Sequence, residues 1–160
     1  MASGGQSLPI SSAGVTHTAS GVAIPALRLW VELAFTRQSS PPLLRKCLLD
    51  SGAPLSVIPF AIHHTHSFSW QPLAGPWPTG FTSWMGVPCL VGLIDVWVPI
   101  TEAPFLNGPW TCIAKFAQAH PPKMPTNLPI LLGLNFLADH KAAVVIQNCS
   151  LPKPGSILLP

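Results

Sequence analysis

Charge is what this sequence has least of: 8% of its 160 residues are Asp, Glu, Lys or Arg. A chain so poor in charge and nearly half apolar is neither a solvated disordered segment nor a charged coiled coil. Its eight cationic side chains leave a net charge of +3, but they are scattered. The basic stripe of a nucleic-acid-binding protein is missing, and no nucleic-acid partner is expected. Long apolar runs are missing too, since each is broken by Pro, Gly or a polar residue well before the ~20 residues that cross a bilayer. No transmembrane helix and no membrane partner is expected. Among Cys47, Cys89, Cys112 and Cys149 there is no Cys-x-x-Cys pair, which removes the spacing signal for zinc or redox chemistry. Buried free thiols are the expected state. The first twenty residues lack the basic-then-apolar order of a secretory leader, so a reducing, cytoplasmic setting without disulfides is expected.

What the sequence does have is 20 prolines and 12 glycines, with short apolar runs between them. Pro breaks helix interiors, and frequent turns between short runs favour an all-β fold. The length suits one domain with a real core. Residues 1–24 are rich in Ser, Gly, Ala and Thr without periodicity and predict a flexible N-terminal arm, leaving 25–160 as the domain. Over 26–36, Leu27, Leu29, Val31, Leu33 and Phe35 alternate with Arg28, Trp30, Glu32 and Ala34, the period of a half-buried strand. A second strand over 43–49 ends at Asp50-Ser51-Gly52. Extended structure resumes at 57–59, and 60–70 reads as loop or short strand. Residues 70–88, dense in Pro, Gly and Trp, predict a long hinged hairpin. Strands are expected at 90–98 and 110–117, and a Pro-rich connector at 120–129. Beyond it come a short buried run over 130–133, a helical turn over 134–140, a β-branched strand over 142–147, and an apolar 156–159 able to pair.

The residue that invites chemistry is Asp50. It precedes a stretch of 44 residues, 51–94, that contains no Asp, Glu, Lys or Arg. A carboxylate between an apolar strand and a tight turn must be hydrogen-bonded, paired or protonated. Ser51 offers a hydroxyl, and Gly52 lets backbone N–H groups approach. The tripeptide alone is equally an ordinary Asx-turn. Asp95 lies in a strand pattern with no following turn, and Asp139 beside His140 and Lys141 has the look of a solvated helix end; neither is expected to be catalytic. His63, His64 and His66 are crowded and have no Cys, Asp or Glu nearby, so no metal and no cofactor is expected.

The wider context points further. Leu48-Leu49-Asp50-Ser51-Gly52-Ala53-Pro54-Leu55-Ser56-Val57-Ile58-Pro59 resembles the active-site stretch of retropepsin-like aspartic peptidases. Pro129-Ile130-Leu131-Leu132-Gly133-Leu134-Asn135-Phe136-Leu137 resembles that family's later apolar-apolar-Gly element and the short helix after it. The resemblance implies a retropepsin-like acid protease fold, a closed or partly open β-barrel with a flap hairpin and one short helix. It also implies an aspartic endopeptidase acting on polypeptides. Asp50 would be catalytic, supported by Ser51, Gly52, Ala53, Leu132 and Gly133, with Trp84, Met85 and Gly86 in the flap against substrate. Because two carboxylates must share a proton and the Asp-Ser-Gly turn occurs once, the resemblance implies a homodimer with the site on its two-fold axis. Retroviral members carry an ion pair where this chain has Pro54 and Leu134, so other contacts must hold the dimer; 26–36 and 156–159 are the candidates for interchain pairing. The alternative is a catalytically silent dimerisation or peptide-binding domain of the same fold.

Overall fold

The computed structural model of the chain describes residues 6–84, 87–97, 110–117, 129–148 and 152–159. In chain order the elements are β1 (Gln6–Ala19), β2 (Val22–Phe35), β3 (Leu43–Leu49), β4 (Ser56–Pro59), α1 (Phe60–His66), β5 (Trp70–Pro72) and α2 (Thr79–Thr82). After these come β6 (Ser83–Trp84), β7 (Val87–Trp97), β8 (Trp110–Ala117), β9 (Ile130–Leu132), α3 (Leu134–Asp139), β10 (Ala143–Ile146) and β11 (Gly155–Leu159). The protein is all-β with three short helices among the described residues. Its main sheet runs β10-β11-β1-β2-β3-β9-β4-β8-β7-β5. The sheet curls until β7 returns to β2, where Ala34 and Phe35 face Trp97 and Val96. That contact closes a ring of β2, β3, β9, β4, β8 and β7, and closure removes sheet edges that would otherwise be left unpaired.

The strand alternation read from residues 26–36 fills the core only in its second half, because Leu27 is 49% exposed on the outer part of the hairpin. Val31, Leu33 and Phe35 on β2 are buried, as are Ile94 and Val96 on β7, Ile130 and Leu132 on β9, and Phe136 on α3. Phe35 stacks on Phe68 with ring centroids 5.1 Å apart, so the loop after α1 is pinned to the core by an aromatic pair. Cys47 and Cys89 are buried. Among the described residues no helix is long and apolar enough to cross a membrane.

Three expectations need correction. Order does not begin at Pro25. Gln6–Ala19 is a strand, paired with β2 from Ile10↔Val31 to Ala19↔Val22 and with β11 from Gln6↔Leu159 to Ile10↔Gly155. Leu8 and Ile10 are fully buried, so the base of this hairpin belongs to the core. Its outer half, from Ala13 round to Arg28, is exposed wherever burial is described. A solvated ribbon tolerates small and polar residues, and that is why the segment has the composition of a loose arm.

The stretch 60–70 is neither loop nor strand at its start, because Phe60–His66 is a helix. Pro59, with φ −61°, enters it, and Ser67 in the left-handed region (φ 51°) ends it, its N–H donating to the His63 carbonyl. Residues 70–88 are not one hairpin. They divide into β5, a run over 73–78 that is neither helix nor strand, α2, and β6, whose Ser83 and Trp84 pair with Pro88 and Val87. Met85 and Gly86 lie outside the described residues, as do Val98 and most of the Pro-rich connector.

Candidate active site

The Asp50 loop joins two strands that are not neighbours. β3 leads in and β4 leads out, and β9 lies between them, parallel to β3 through Cys47↔Ile130, Leu48↔Leu131 and Leu49↔Leu132 and antiparallel to β4 at Val57↔Leu131. The loop is thus stretched across the end of β9. The Asp50 N–H donates to the Leu132 carbonyl at 2.9 Å, and on the far side of the loop the Leu134 N–H donates to the Ala53 carbonyl at 2.8 Å. Both ends of the Asp-Ser-Gly-Ala turn are therefore fastened to the apolar-apolar-glycine segment that the sequence singled out.

Within the turn, the Ala53 N–H donates to the Asp50 carbonyl at 3.2 Å and the Gly52 N–H donates to Asp50 Oδ1 at 3.0 Å. The geometry is an Asx-turn, and it fixes one carboxylate oxygen on a backbone donor. A Cβ at residue 52 would sit 3.2 Å from Oδ1, tight enough to disturb that bond. Gly133 has a stricter reason to be glycine. A Cβ there would lie 2.6 Å from the Leu55 carbonyl group and 2.7 Å from the Ala53 oxygen, all of it backbone. The two segments touch main chain to main chain, and a side chain would pry them apart.

Two residues that sequence reasoning did not single out hold the loop's exit. Asn135 Oδ1 accepts from the Ser56 N–H at 2.6 Å and from the Ser56 hydroxyl at 2.9 Å. Ser56 Oγ in turn accepts from the Gly133 N–H at 3.0 Å. Ser56 is 2% exposed, and a polar side chain so buried needs partners. A serine inside Leu55-Ser56-Val57-Ile58 is the visible signal; its partner 79 positions away is not readable from one sequence. The Asn135 N–H also donates to the Pro54 carbonyl at 3.2 Å, a further backbone tie between the loop and α3.

Asp50, Gly52, Ala53, Pro54, Leu55, Val57 and Leu131 line an open groove of about 250 Å³. Asp50 is partly exposed in it, Ser51 and Gly52 are exposed, and Ala53 is half-buried. Leu132 and Gly133 are buried beneath. Trp84 lies on β6; Met85 and Gly86 are outside the described part. Asp139 is exposed at the end of α3, and Asp95 lies mid-strand on β7 opposite Thr111.

No protein-family model matches the chain, and no curated protein matches it. The site must be judged on its own chemistry. Among the described residues no three His, Cys, Asp or Glu side chains converge as a metal site. Two of the histidines of α1 pack with aromatic rings: His63 lies edge-on to Phe68 and Trp70 at 6.4 Å, and His66 stacks on Phe68 at 6.0 Å. Burial first, and then the neighbouring His64, lower the pKa of His63 below its ordinary value.

Proposed function

We propose that this chain is one subunit of a retropepsin-like aspartic endopeptidase, in which two copies of Asp50 share a proton across a two-fold axis. One carboxylate would activate a water for attack on the peptide carbonyl; the other would protonate the departing nitrogen. Two such groups brought together cannot comfortably both ionise, so one of them would hold the shared proton. Activity is therefore expected at acidic to near-neutral pH. The observation that carries the reading is the anchoring of the Asp50 turn: both its ends are hydrogen-bonded to Leu132 and Leu134, at either side of a glycine that admits no side chain. An incidental Asx-turn on a surface loop needs no such clamp. Apolar groove walls formed by Ala53, Pro54, Leu55, Val57 and Leu131 favour bulky apolar residues beside the cleaved bond. In this reading Ser51 braces the dyad from the opposite subunit, and the β6–β7 hairpin, with Trp84, Met85 and Gly86, closes over the peptide.

The test is cleavage of a mixed peptide library at a series of pH values from 4 to 7, comparing wild type with Asp50→Asn. Loss of at least ~10²-fold in rate is expected, the usual contribution of a positioned acid or base. If both proteins cut equally, or neither cuts at any pH, the enzyme reading fails. Peptide binding without cutting would establish the silent alternative.

A further inference from the structure

In a chain so poor in charge, a cation on the inward side of a strand calls for a reason. Side chains alternate along β3, with Leu44 and Lys46 exposed and Cys47 buried. Arg45 shares the side of Cys47 and pairs with fully buried Leu33 on β2. It is half-buried, and its guanidinium makes no hydrogen bond or ion pair among the described residues. Along β3 it stands roughly 17 Å from Asp50 at the usual rise of a strand. It lies outside the proposed active site.

Two more basic side chains are fixed at this end of the barrel. Arg37 follows β2 and bridges to Phe68, whose ring stacks on Phe35. Backbone secures the pairing, for the Gln38 N–H donates to the Ser67 carbonyl at 3.0 Å and the Ser69 N–H to the Thr36 carbonyl at 2.8 Å. Arg37 Nε–H donates to the Pro41 carbonyl at 2.8 Å. Its two terminal amino groups make no hydrogen bond among the described residues. His66, in the last turn of α1, stacks on the same Phe68 at 6.0 Å. Both side chains are half-buried. The pKa of His66 is lowered by burial first, then by Arg45 and then by Arg37, and no carboxylate raises it. Three basic groups thus gather without an acid to answer them. Glu32, exposed opposite Lys46, belongs to the other side of the sheet.

We infer that Arg37, Arg45 and His66 form a binding site for a phosphate group. Guanidinium groups present their N–H donors as a rigid fork that matches phosphate oxygens, and they accept nothing in return. A neutral His66 adds one ring N–H. Donors that come from three segments suit a tetrahedral oxyanion, which has an oxygen for each, better than a planar carboxylate with two. The bound anion would also remove the repulsion among the three groups. It would tie the turn between β2 and β3, the start of β3 and the end of α1 to one another, so binding would stabilise the fold. Free phosphate and a phosphorylated side chain of a polypeptide offer the same oxygens. The competing account is that the arginine stems cover Phe68 and leave their heads in water.

The site stands or falls apart from the peptidase reading. Its test follows thermal unfolding near neutral pH as sodium chloride is replaced by sodium phosphate at fixed ionic strength. The proteins compared are wild type, Arg45→Gln, Arg37→Gln and, as a control on the other side of β3, Lys46→Gln. Wild type and Lys46→Gln should gain a melting temperature that saturates with phosphate. Each arginine variant should need about tenfold more phosphate for the same gain, the loss expected of one hydrogen bond to a charged group. A phosphoserine peptide and its unphosphorylated twin are titrated alongside. Tighter binding of the phosphopeptide than of free phosphate, with the twin inert, assigns the group to a polypeptide; equal binding assigns it to free phosphate. Phosphate also stabilises folded proteins in general by exclusion from their surface. A gain that both arginine variants share in full is that general effect and overturns the site, as does a wild type that melts alike in phosphate and chloride.

Discussion

Asp50 owes its position to residues that never touch a substrate. Ser56 donates two hydrogen bonds to Asn135 Oδ1, and a third ties Ser56 to Gly133. Removing the Asn135 amide leaves a buried hydroxyl and a backbone N–H without their acceptor, each worth about 1–3 kcal/mol when stranded. Asn135→Ala is therefore expected to lower unfolding free energy by about 2–4 kcal/mol, read by urea denaturation. Ser56→Ala should cost less, because the Asn135 carbonyl keeps the Ser56 backbone donor. Gly133→Ala forces a Cβ against three backbone atoms at 2.6–2.7 Å and has no side chain to push aside. It is expected to be worse than either, with cleavage lost even where folding survives at low temperature. Equal stability of Gly133→Ala and wild type would remove the clamp from the account of the site.

At the scale of elements, period-two alternation made β2 and β7 readable, a β-branched run made β10 readable, and the apolar runs ending at Asp50 and Gly133 made β3 and β9 readable, each to within a few residues. Alternation needs a dry face and a wet one. β1 defeats it, because only its base has a dry face: Leu8 and Ile10 are buried, while the rest follows β2 out into solvent. α1 defeats it for another reason. Seven residues are barely two turns, too short for a helical period to declare itself. Pro59 before it was the available signal. The base and the tip of the β1–β2 hairpin should accordingly behave differently. Ile10→Ala is expected to destabilise by about 2–5 kcal/mol, as core truncations do, and Val22→Ser, at a tip residue 59% exposed, by no more than about 0.5 kcal/mol. Thermal or urea unfolding of the two variants decides it, and equal small effects would restore the picture of a loose arm.

For the whole molecule, closure of the sheet through the β2–β7 contact was beyond one sequence, since it depends on accumulated twist rather than on any local pattern. Three histidines pack against core aromatics, His63 and His66 on Phe68 and His140 on Phe136. Burial is the leading cause that lowers the pKa of each below 6.5: in His63 with help from His64, in His66 with help from Arg45 and Arg37, and in His140 against an opposing pull from Asp139. A base whose folded pKa is lowered binds protons more readily when unfolded. Its folded form is fully competitive above 6.5 and loses ground as pH falls from there towards the folded pKa. His140 is the most buried of the three, 8% exposed, with its ring 4.7 Å from Phe136 on the same helix. His66 is screened by solvent. The proposed dyad needs acid to hold its shared proton, whereas the fold weakens in acid, so cleavage should pass through a narrow optimum set on its acidic side by unfolding. Urea denaturation from pH 8 to 4.5 should give a stability curve that is flat above about pH 7 and falls below 6.5. His140→Gln should flatten that fall, by at most about 1.4 kcal/mol per pH unit for one proton, and extend cleavage to lower pH. A wild-type curve flat down to pH 4.5 would show that the acidic limit of activity lies in the Asp50 pair itself.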